Sequence, residues 1–184
     1  MSKKIKNILL DLDNTCISAM GLDKFPFKKA GIKEKSLKFP LYDMDGYYII
    51  FERPGLQSFF DFLFKNFNVA IWTAASKDYA LFIVDKIILK KPDRKLDFIL
   101  FSYHCDISKK IFNKDEQKNL KLLNKVLKIN GYNTTNSLLI DDLEENWDFQ
   151  KNCCIKIKPF EMLDEGSEND KELKHIQDIL TKTL

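Results

Sequence analysis

Acidic side chains follow two short apolar runs that lie far apart in the sequence. Asp11 and Asp13 come after the first run, and Asp141 and Asp142 come after the second. Because Asp11 and Asp13 are two positions apart, extended backbone would project both carboxylates to the same side. Close carboxylates repel each other, which favours a bound cation or a proton held by one of them. Clustered carboxylates without histidine are typical ligands of Mg²⁺, so the pattern predicts a magnesium site that also binds a phosphate.

Two more residues could complete a site for phosphoryl transfer. Thr73 ends a third apolar run and offers a hydroxyl group, and Lys118 precedes a predicted helix and offers a positive charge. A phosphoryl group in transfer needs such partners to stabilise its charge. Simpler structural roles are also open. Asp11 and Asp13 could be turn or helix-cap aspartates. Thr73, Asp141 and Asp142 could cap the helices that follow them, and Lys118 could be a solvated surface lysine.

Strands that alternate with helices must position these residues. Short apolar runs predict strands at 7–10, 69–73, 98–101, 137–140 and 154–157. Apolar residues at helical spacing predict helices at about 56–66, 77–89, 118–129 and 168–184. This alternation predicts an α/β fold, a Rossmann-like, doubly wound and mainly parallel sheet with helices on both faces. Ligands of such sheets bind beyond the carboxyl ends of the strands, which is where the aspartates lie.

Two stretches, about 16–52 and 102–117, are predicted to be insertions into this alternation. Residues 16–40 are of mixed character and are expected to form a surface excursion. An Asp-Gly pair between strand-prone runs predicts a hairpin within 41–51. The stretch 102–117 is polar and is expected to be irregular. Because both insertions are too short for a large cap domain, we expect a single domain over 1–184 with an open groove for a macromolecular substrate.

The composition excludes several classes of protein and partner. The 184 residues include 45% hydrophobic and 31% charged types, which is typical of a globular domain rather than a disordered chain. The 30 basic and 27 acidic side chains leave a net charge of +3, so no direct contact with nucleic acid is predicted. The apolar run at 8–10 is too short for a signal peptide or a membrane span, and the four cysteines lack zinc-site spacing. We therefore expect an intracellular protein, in the nucleus or cytoplasm, with reduced thiols and no membrane partner.

The motifs resemble those of the haloacid dehalogenase superfamily. The run Leu10-Asp11-Leu12-Asp13-Asn14-Thr15 matches the D-x-D-x-T nucleophile motif of that superfamily. Further matches follow in order along the chain: Arg53-Pro54-Gly55, Trp72-Thr73-Ala74-Ala75-Ser76, Tyr79-Ala80, Lys118-Asn119-Leu120 and Leu139-Ile140-Asp141-Asp142. The ordered set, from about 8 to 160, is similar to the small CTD phosphatase or NIF-like branch. Members of this branch are serine/threonine phosphatases that act on the C-terminal domain (CTD) of RNA polymerase II.

The resemblance implies a catalytic role for several matched residues. Asp11 would be the nucleophile that becomes an aspartyl-phosphate. Asp13 would be the general acid of the first step and the general base of the second. Thr73, Ala74 and Lys118 would bind the oxygens of the transferring phosphoryl group.

The resemblance also implies the metal ligands and the class of substrate. Mg²⁺ would be bound by Asp11, by the backbone carbonyl of Asp13, and by Asp141 or Asp142. Tyr79 matches an aromatic residue that lines the peptide pocket. The expected protein is thus a monomeric, magnesium-dependent phosphatase whose partner is a phosphorylated protein or peptide, with the RNA polymerase II CTD as one such partner.

A few positions depart from the pattern of that branch. Asn14 replaces a usual glutamate, Cys16 replaces an aliphatic residue, and Ser102 replaces an arginine. The aromatic residue of the first insertion has no clear match around 20–22. These departures concern peptide specificity rather than the chemistry. Two alternatives stay open: a superfamily phosphatase for a small molecule, a nucleic-acid end or phosphotyrosine, and a binding module without catalysis.

Overall fold

The computed structural model describes residues 4–184, so the first three residues of the predicted domain lie outside it. The strands are β1 (Asn7–Leu10), β2 (Ile17–Gly21), β3 (Leu41–Met44), β4 (Tyr48–Glu52), β5 (Asn68–Trp72), β6 (Ile99–Leu100), β7 (Ser137–Asp141) and β8 (Cys154–Lys156). The α-helices are α1 (Ile32–Ser36), α2 (Leu56–Asn66), α3 (Lys77–Ile83), α4 (Ser102–Ile111), α5 (Lys121–Lys125), α6 (Glu144–Asp148) and α7 (Glu172–Thr181). Short 3₁₀ turns lie at Leu22–Lys24 and Ser167–Asn169, and a π-helical turn, Val84–Ile88, continues α3.

The central sheet has the strand order β6-β5-β1-β7-β8, and its neighbouring strands are parallel. In the middle of the sheet, Leu10 of β1 is opposite Ile71 of β5 on one side and Ile140 of β7 on the other. The carboxyl ends of β5, β1 and β7 therefore lie side by side at one edge. This arrangement confirms the predicted doubly wound, mainly parallel α/β sheet.

Both faces of the sheet are covered, which explains the uninterrupted apolar sequence of β1. Ile8 and Leu10 pack in one core cluster with residues of α2, α3 and α7. Leu9 points to the opposite face and packs in a second cluster with residues of α4, α5 and α6. Parallel strands buried on both faces need apolar residues at every position. Each such side chain contributes about 1.5–3 kcal/mol by its burial.

The predicted hairpin within 41–51 is confirmed, with β3 and β4 paired antiparallel. Its turn residues Asp45 and Gly46 have φ angles of 49° and 76°. Positive φ at both central positions matches the right-handed twist of the flanking strands, and Asp-Gly tolerates it well.

The prediction that 16–40 is a surface excursion is wrong for much of that stretch. It contains β2, which pairs antiparallel with β4 and completes a three-stranded sheet of order β2-β4-β3. Cys16 and Ile17 are buried, and Phe25 and Phe39 belong to a third apolar cluster next to this sheet. The sequence of β2 mixes small and apolar residues, so its pairing with a distant strand, rather than its own propensity, decides the structure.

The prediction that 102–117 is irregular is also wrong in its first part, which forms α4. Only Cys105 and Ser108 of α4 are fully buried, so most of the helix faces solvent. The side-chain Nδ1 of His104 accepts a hydrogen bond from the backbone N–H of Phe101 and helps to start the helix. A largely polar segment can therefore form a helix that packs on the sheet through a narrow buried face and exposes the rest to solvent.

The helix predicted at 118–129 is much shorter in the structure, where α5 covers only Lys121–Lys125. The chain leaves the helix soon afterwards, and Lys128 has a left-handed φ of 54°. The predicted closing helix corresponds to a 3₁₀ turn followed by α7, with Leu173, Ile176 and Leu180 buried. Across residues 4–184, no helix has both the length and the apolar character that crossing a bilayer requires.

Candidate active site

Three aspartates meet at the carboxyl edge of the central sheet. Asp11 follows β1, Asp141 is the last residue of β7, and Asp142 is the next residue. One carboxylate oxygen from each residue lies within 4.8 Å of the other two. Asp11 and Asp141 are only 6% and 0% exposed. Two carboxylates removed from water in this way require compensation by positive charge.

Lys118 supplies part of that compensation. Its buried Nζ donates hydrogen bonds to Oδ1 of Asp11 and, over 2.7 Å, to Oδ2 of Asp141. Burial lowers the pKa of Lys118, but the two carboxylates outweigh that effect and raise it overall, so the ammonium stays charged. Burial raises the pKa of Asp11 to about 8, although the charge of Lys118 opposes this. One lysine does not balance three ionised carboxylates, and the charge of Asp141 adds to burial in raising the pKa of Asp11.

The three carboxylates fit a hard divalent cation. All the donor atoms are oxygens, the charge of the cluster is negative, and a cation would relieve the repulsion between the aspartates. Asp142 is half-buried and accepts a hydrogen bond from the hydroxyl of Thr15 over 3.3 Å. Burial raises the pKa of Asp142, and the neighbouring charge of Asp141 adds to this effect. Asp11, Asp141 and Asp142 are therefore the residues that could bind a metal ion here.

Asp13 does not join this group through its side chain. Its Oδ1 accepts a hydrogen bond from the hydroxyl of Tyr79. Burial raises the pKa of Asp13, and the hydrogen bond from Tyr79 opposes that shift. The next residue, Asn14, has a left-handed φ of 56°. Asparagine tolerates this backbone better than glutamate does, which gives a physical reason for the departure at this position.

A buried arginine fixes the loop that contains these residues. Arg53 donates two hydrogen bonds of 2.9 Å to the carboxylate of Asp170, which lies just before α7. The same guanidinium donates to the backbone carbonyl of Thr15 over 3.1 Å. The backbone carbonyl of Asn14 accepts a 2.7 Å hydrogen bond from the N–H of Phe160. The turn after the two aspartates is thus attached to the C-terminal part of the chain.

An open cavity of about 380 Å³ lies next to Asp13. Besides Asp13, its walls include Met44, Tyr47, Tyr48, Asp78 and Tyr79. Tyr79 thus lines a cavity and donates its hydroxyl to Asp13, and its role in a peptide pocket stays a prediction. The residues from the hairpin were not among the predicted pocket residues.

Thr73 and Ala74 follow β5, the strand next to β1. Thr73 is buried, and its hydroxyl oxygen accepts a 3.0 Å hydrogen bond from the backbone N–H of Ala75, whereas Ala74 is exposed. Thr73 does not cap α3, because Ser76 is the N-cap residue and accepts from the backbone N–H of Tyr79. The hydrogen bonds of Thr73 do not tie it directly to the aspartates. Its role in phosphate binding stays a prediction.

Two residues that the sequence analysis missed brace the cluster from α6 and just after it. Asn146 is fully buried; its amide donates to Oδ1 of Asp141 over 3.1 Å, and its oxygen accepts from the backbone N–H of Lys118 over 3.2 Å. Gln150 donates to the backbone carbonyl of Lys118 over 2.8 Å and accepts from the N–H of Leu120. The available signal was the four-residue spacing of Asn146 and Gln150, although Gln150 lies beyond the end of α6 and donates to the backbone carbonyl of Asn146 over 2.9 Å. Asp141 also accepts from the backbone N–H of Leu143, but Leu143 is itself the N-cap residue of α6 and the helix has no side-chain cap, so neither Asp141 nor Asp142 caps it.

This chain is similar in sequence and in structure to known phosphatases. The profile of the family described as NIF, NLI interacting factor-like phosphatase, matches residues 6–184. The CTD phosphatase-like protein 355R of Invertebrate iridescent virus 6 is 44% identical over 182 residues, which cover 98% of this chain and 100% of the relative. The protein of the same name from Invertebrate iridescent virus 3 is 45% identical over 184 residues, which cover 97% of each chain.

Solved structures show the same fold at lower sequence identity. A variant of the fission yeast RNA polymerase II CTD phosphatase Fcp1, bound to beryllium fluoride, aligns with a TM-score of 0.60 and 23% identity over 99% of this chain. A structure of Fcp1, an essential RNA polymerase II CTD phosphatase, aligns with a TM-score of 0.63 and 20% identity over 98% of this chain. This chain spans only 51% and 62% of the lengths of those two chains. The two structures show that this chain shares the fold of Fcp1, in agreement with the mainly parallel α/β sheet that the sequence predicted.

Proposed function

The chain belongs to the family of NLI interacting factor-like phosphatases, and we propose that it is a magnesium-dependent phosphatase of phosphoserine or phosphothreonine in proteins. The observation that carries this proposal is the buried Lys118 between Asp11 and Asp141, with Asp142 beside them. Buried charges that a single lysine does not balance are costly in a purely structural role. They are useful where a dianionic phosphate must approach a carboxylate.

The metal site of this proposal uses oxygen ligands only. Asp11, the backbone carbonyl of Asp13, and Asp141 or Asp142 would bind Mg²⁺, and the carboxylate set supports that assignment. When bound, Mg²⁺ would neutralise phosphate charge next to the nucleophile. Lys118 adds a second positive charge at the same place and is kept charged by its two carboxylate partners.

The chemical steps are assigned to Asp11 and Asp13. An oxygen of Asp11 attacks the phosphorus atom, and the bond from phosphorus to the serine or threonine oxygen breaks. Asp13 donates its proton to that leaving oxygen, a contribution of about 10²–10⁴-fold in typical general-acid catalysis. Asp13 then takes a proton from the water that attacks the aspartyl-phosphate, which releases inorganic phosphate and restores both aspartates. Burial of Asp13, which raises its pKa, supports the role as an acid.

A protein substrate is favoured by the openness of the site. The cavity next to Asp13 is bounded by the hairpin and by the start of α3, and the small three-stranded sheet does not form a large cap. A phosphorylated loop or tail could reach Asp11 without a domain closing over it. The viral relatives are called CTD phosphatase-like. We therefore include the CTD of RNA polymerase II among the candidate substrates.

The proposal is tested by phosphate release from CTD-repeat phosphopeptides in the presence of Mg²⁺. We expect turnover that stops on addition of EDTA, returns with excess Mg²⁺, and is abolished by Asp11→Asn. Asp93→Asn is a matched control, because Asp93 is exposed and lies outside the cluster. Wild-type turnover by Asp11→Asn would contradict the assigned nucleophile. Hydrolysis of p-nitrophenyl phosphate, nucleotides or phosphotyrosine without hydrolysis of phosphoserine peptides would contradict the assigned substrate class.

A further inference from the structure

The cavity next to Asp13 combines aromatic walls with negative charge. The rings of Tyr48 and Tyr79 meet edge to face, with their centroids 5.3 Å apart. Tyr47, from the same hairpin, is 73% exposed, so a large aromatic surface faces solvent at the mouth of the cavity. Asp13 and Asp78 contribute carboxylates to the lining.

No positive charge balances these carboxylates within the cavity. Among the described residues that line it, none is lysine, arginine or histidine. The charge of Lys118 acts on Asp13, but its ammonium is buried and already donates to Asp11 and Asp141. Asp78 is exposed and belongs to the first turn of α3. An acidic residue there also favours the helix, yet this role alone does not explain tyrosines and a second carboxylate around the same space.

We infer that this cavity binds a lysine or arginine side chain of the substrate, close in sequence to the phosphorylated residue. Its aliphatic stem would pack on Met44 and the tyrosine rings, as long basic side chains commonly do on apolar surface. Its charged group would lie over the ring faces and near Asp78, where cation–π and ionic attraction act together. The inference rests on the proposed function, since it concerns the peptide that presents the phosphate.

The position of the cavity limits where the basic residue lies in the substrate. Asp13 belongs both to the cavity lining and to the proposed proton-transfer step. Because an extended chain advances about 3.3–3.6 Å per residue, the side chain in the cavity belongs to a residue within about two positions of the phosphorylated one. Asp13 already accepts a hydrogen bond from Tyr79, but an apolar occupant such as proline would use the tyrosines and leave Asp78 without a partner in the cavity. Charge complementarity therefore favours the basic residue.

The test is a set of fluorescein-labelled phosphoserine peptides that differ at one position. Arginine, citrulline, proline or glutamate is placed at each of the two positions before and after the phosphoserine. Affinity is measured by fluorescence polarisation with the Asp11→Asn protein in Mg²⁺, so that turnover does not interfere, and kcat/KM is measured with the wild-type protein. At one position at least, we expect arginine to improve affinity and kcat/KM by about fivefold over citrulline, its neutral isostere. The difference should shrink in 0.5 M NaCl, because the carboxylate of Asp78 is exposed to salt screening.

Two variants test whether the cavity is responsible. Asp78→Asn should bring the ratio between the arginine and citrulline peptides towards one. Asp85→Asn, an exposed position beyond α3 that does not line the cavity, should leave that ratio and the activity unchanged. Equal or tighter binding of the citrulline or proline peptides, or an unchanged ratio in Asp78→Asn, would overturn the inference. If no phosphopeptide is hydrolysed while p-nitrophenyl phosphate is, the proposed function fails, and the binding ratios still decide the inference.

Discussion

The side-chain amide of Asn146 donates a hydrogen bond to Asp141, and its oxygen accepts one from the backbone N–H of Lys118. One buried residue therefore fixes both the carboxylate at the end of β7 and the turn that presents the lysine. Because Gln150 donates to the backbone carbonyl of Lys118 and accepts from the N–H of Leu120, α6 and the residues after it hold Lys118 in a defined place. The geometry of the cluster depends on this support as well as on the sheet.

Replacement of Asn146 should weaken metal binding without removing any ligand. Loss of a residue that orients a metal ligand typically costs 10–100-fold in affinity or activity, and we expect Asn146→Ala to raise the Mg²⁺ concentration for half-maximal activity by about tenfold. A magnesium titration of phosphatase activity measures this. Asn124→Ala, on the exposed side of α5, is the control and should behave as wild type. An unchanged magnesium requirement in Asn146→Ala would show that Asp141 does not need this support.

Removal of the buried lysine charge should destabilise the metal-free protein. Lys118→Met leaves Asp11 and Asp141 without their common partner, and breaking a buried ion pair in this way costs about 3–5 kcal/mol. Urea unfolding in EDTA measures the loss, and Lys121→Met, at an exposed position, is the control. Adding Asp11→Asn to Lys118→Met should recover part of the lost stability, because one uncompensated charge is removed. If Lys118→Met alone unfolds at the wild-type urea concentration, the lysine is not buried as described.

The metal-free protein should become less stable as the pH rises from about 4 to about 8. Burial raises the pKa of Asp11 from 3.8 to about 8, so between these values the folded state binds a proton that the unfolded state has released. Stability falls with pH wherever the folded state binds more protons, and the raised pKa of Asp13 acts in the same direction. Urea unfolding in EDTA at pH 5 and pH 8 measures the difference. Asp11→Asn should reduce this loss of stability, whereas Asp93→Asn should preserve it. The raised pKa of Asp11 would be contradicted if stability increased from pH 5 to pH 8 and did so equally in the wild-type protein and in Asp11→Asn.

Loss of the tyrosine hydroxyl next to Asp13 should change how activity depends on pH. The hydrogen bond from Tyr79 lowers the pKa of Asp13 and so opposes the effect of burial. In Tyr79→Phe the pKa of Asp13 should rise further. Asp13 would then stay protonated up to a higher pH, so the fall of kcat/KM on the alkaline side should move to higher pH. Profiles of kcat/KM against pH on a phosphoserine peptide measure this shift. Tyr48→Phe removes a hydroxyl from the same cavity without touching Asp13, and a shift of equal size in that variant would count against the assignment.

The sequence was most informative where local pattern and packing agree. The apolar runs of β1 and β7 end on Asp11 and Asp141, and parallel neighbours bring their carboxyl ends together, so this part of the cluster followed from pattern alone. The structure differed where long-range contacts decide. β2 is a strand because β4 pairs with it, and α4 is a helix although it buries only Cys105 and Ser108 completely. Asn146 could not be assigned, because an asparagine on a short helix is usually a surface residue until its neighbours are known.

The middle position of β1 in the sheet has a consequence for how the protein is made. The strand pairs with β5 on one side and with β7 on the other. Leu10 is opposite Ile71 of β5 and Ile140 of β7. A ribosome must therefore synthesise three quarters of the chain before the first strand has both neighbours and Asp11 can meet Asp141. No shorter N-terminal piece can bring Asp11 and Asp141 together, and appearance of phosphatase activity during synthesis would occur only after β7 has joined the sheet.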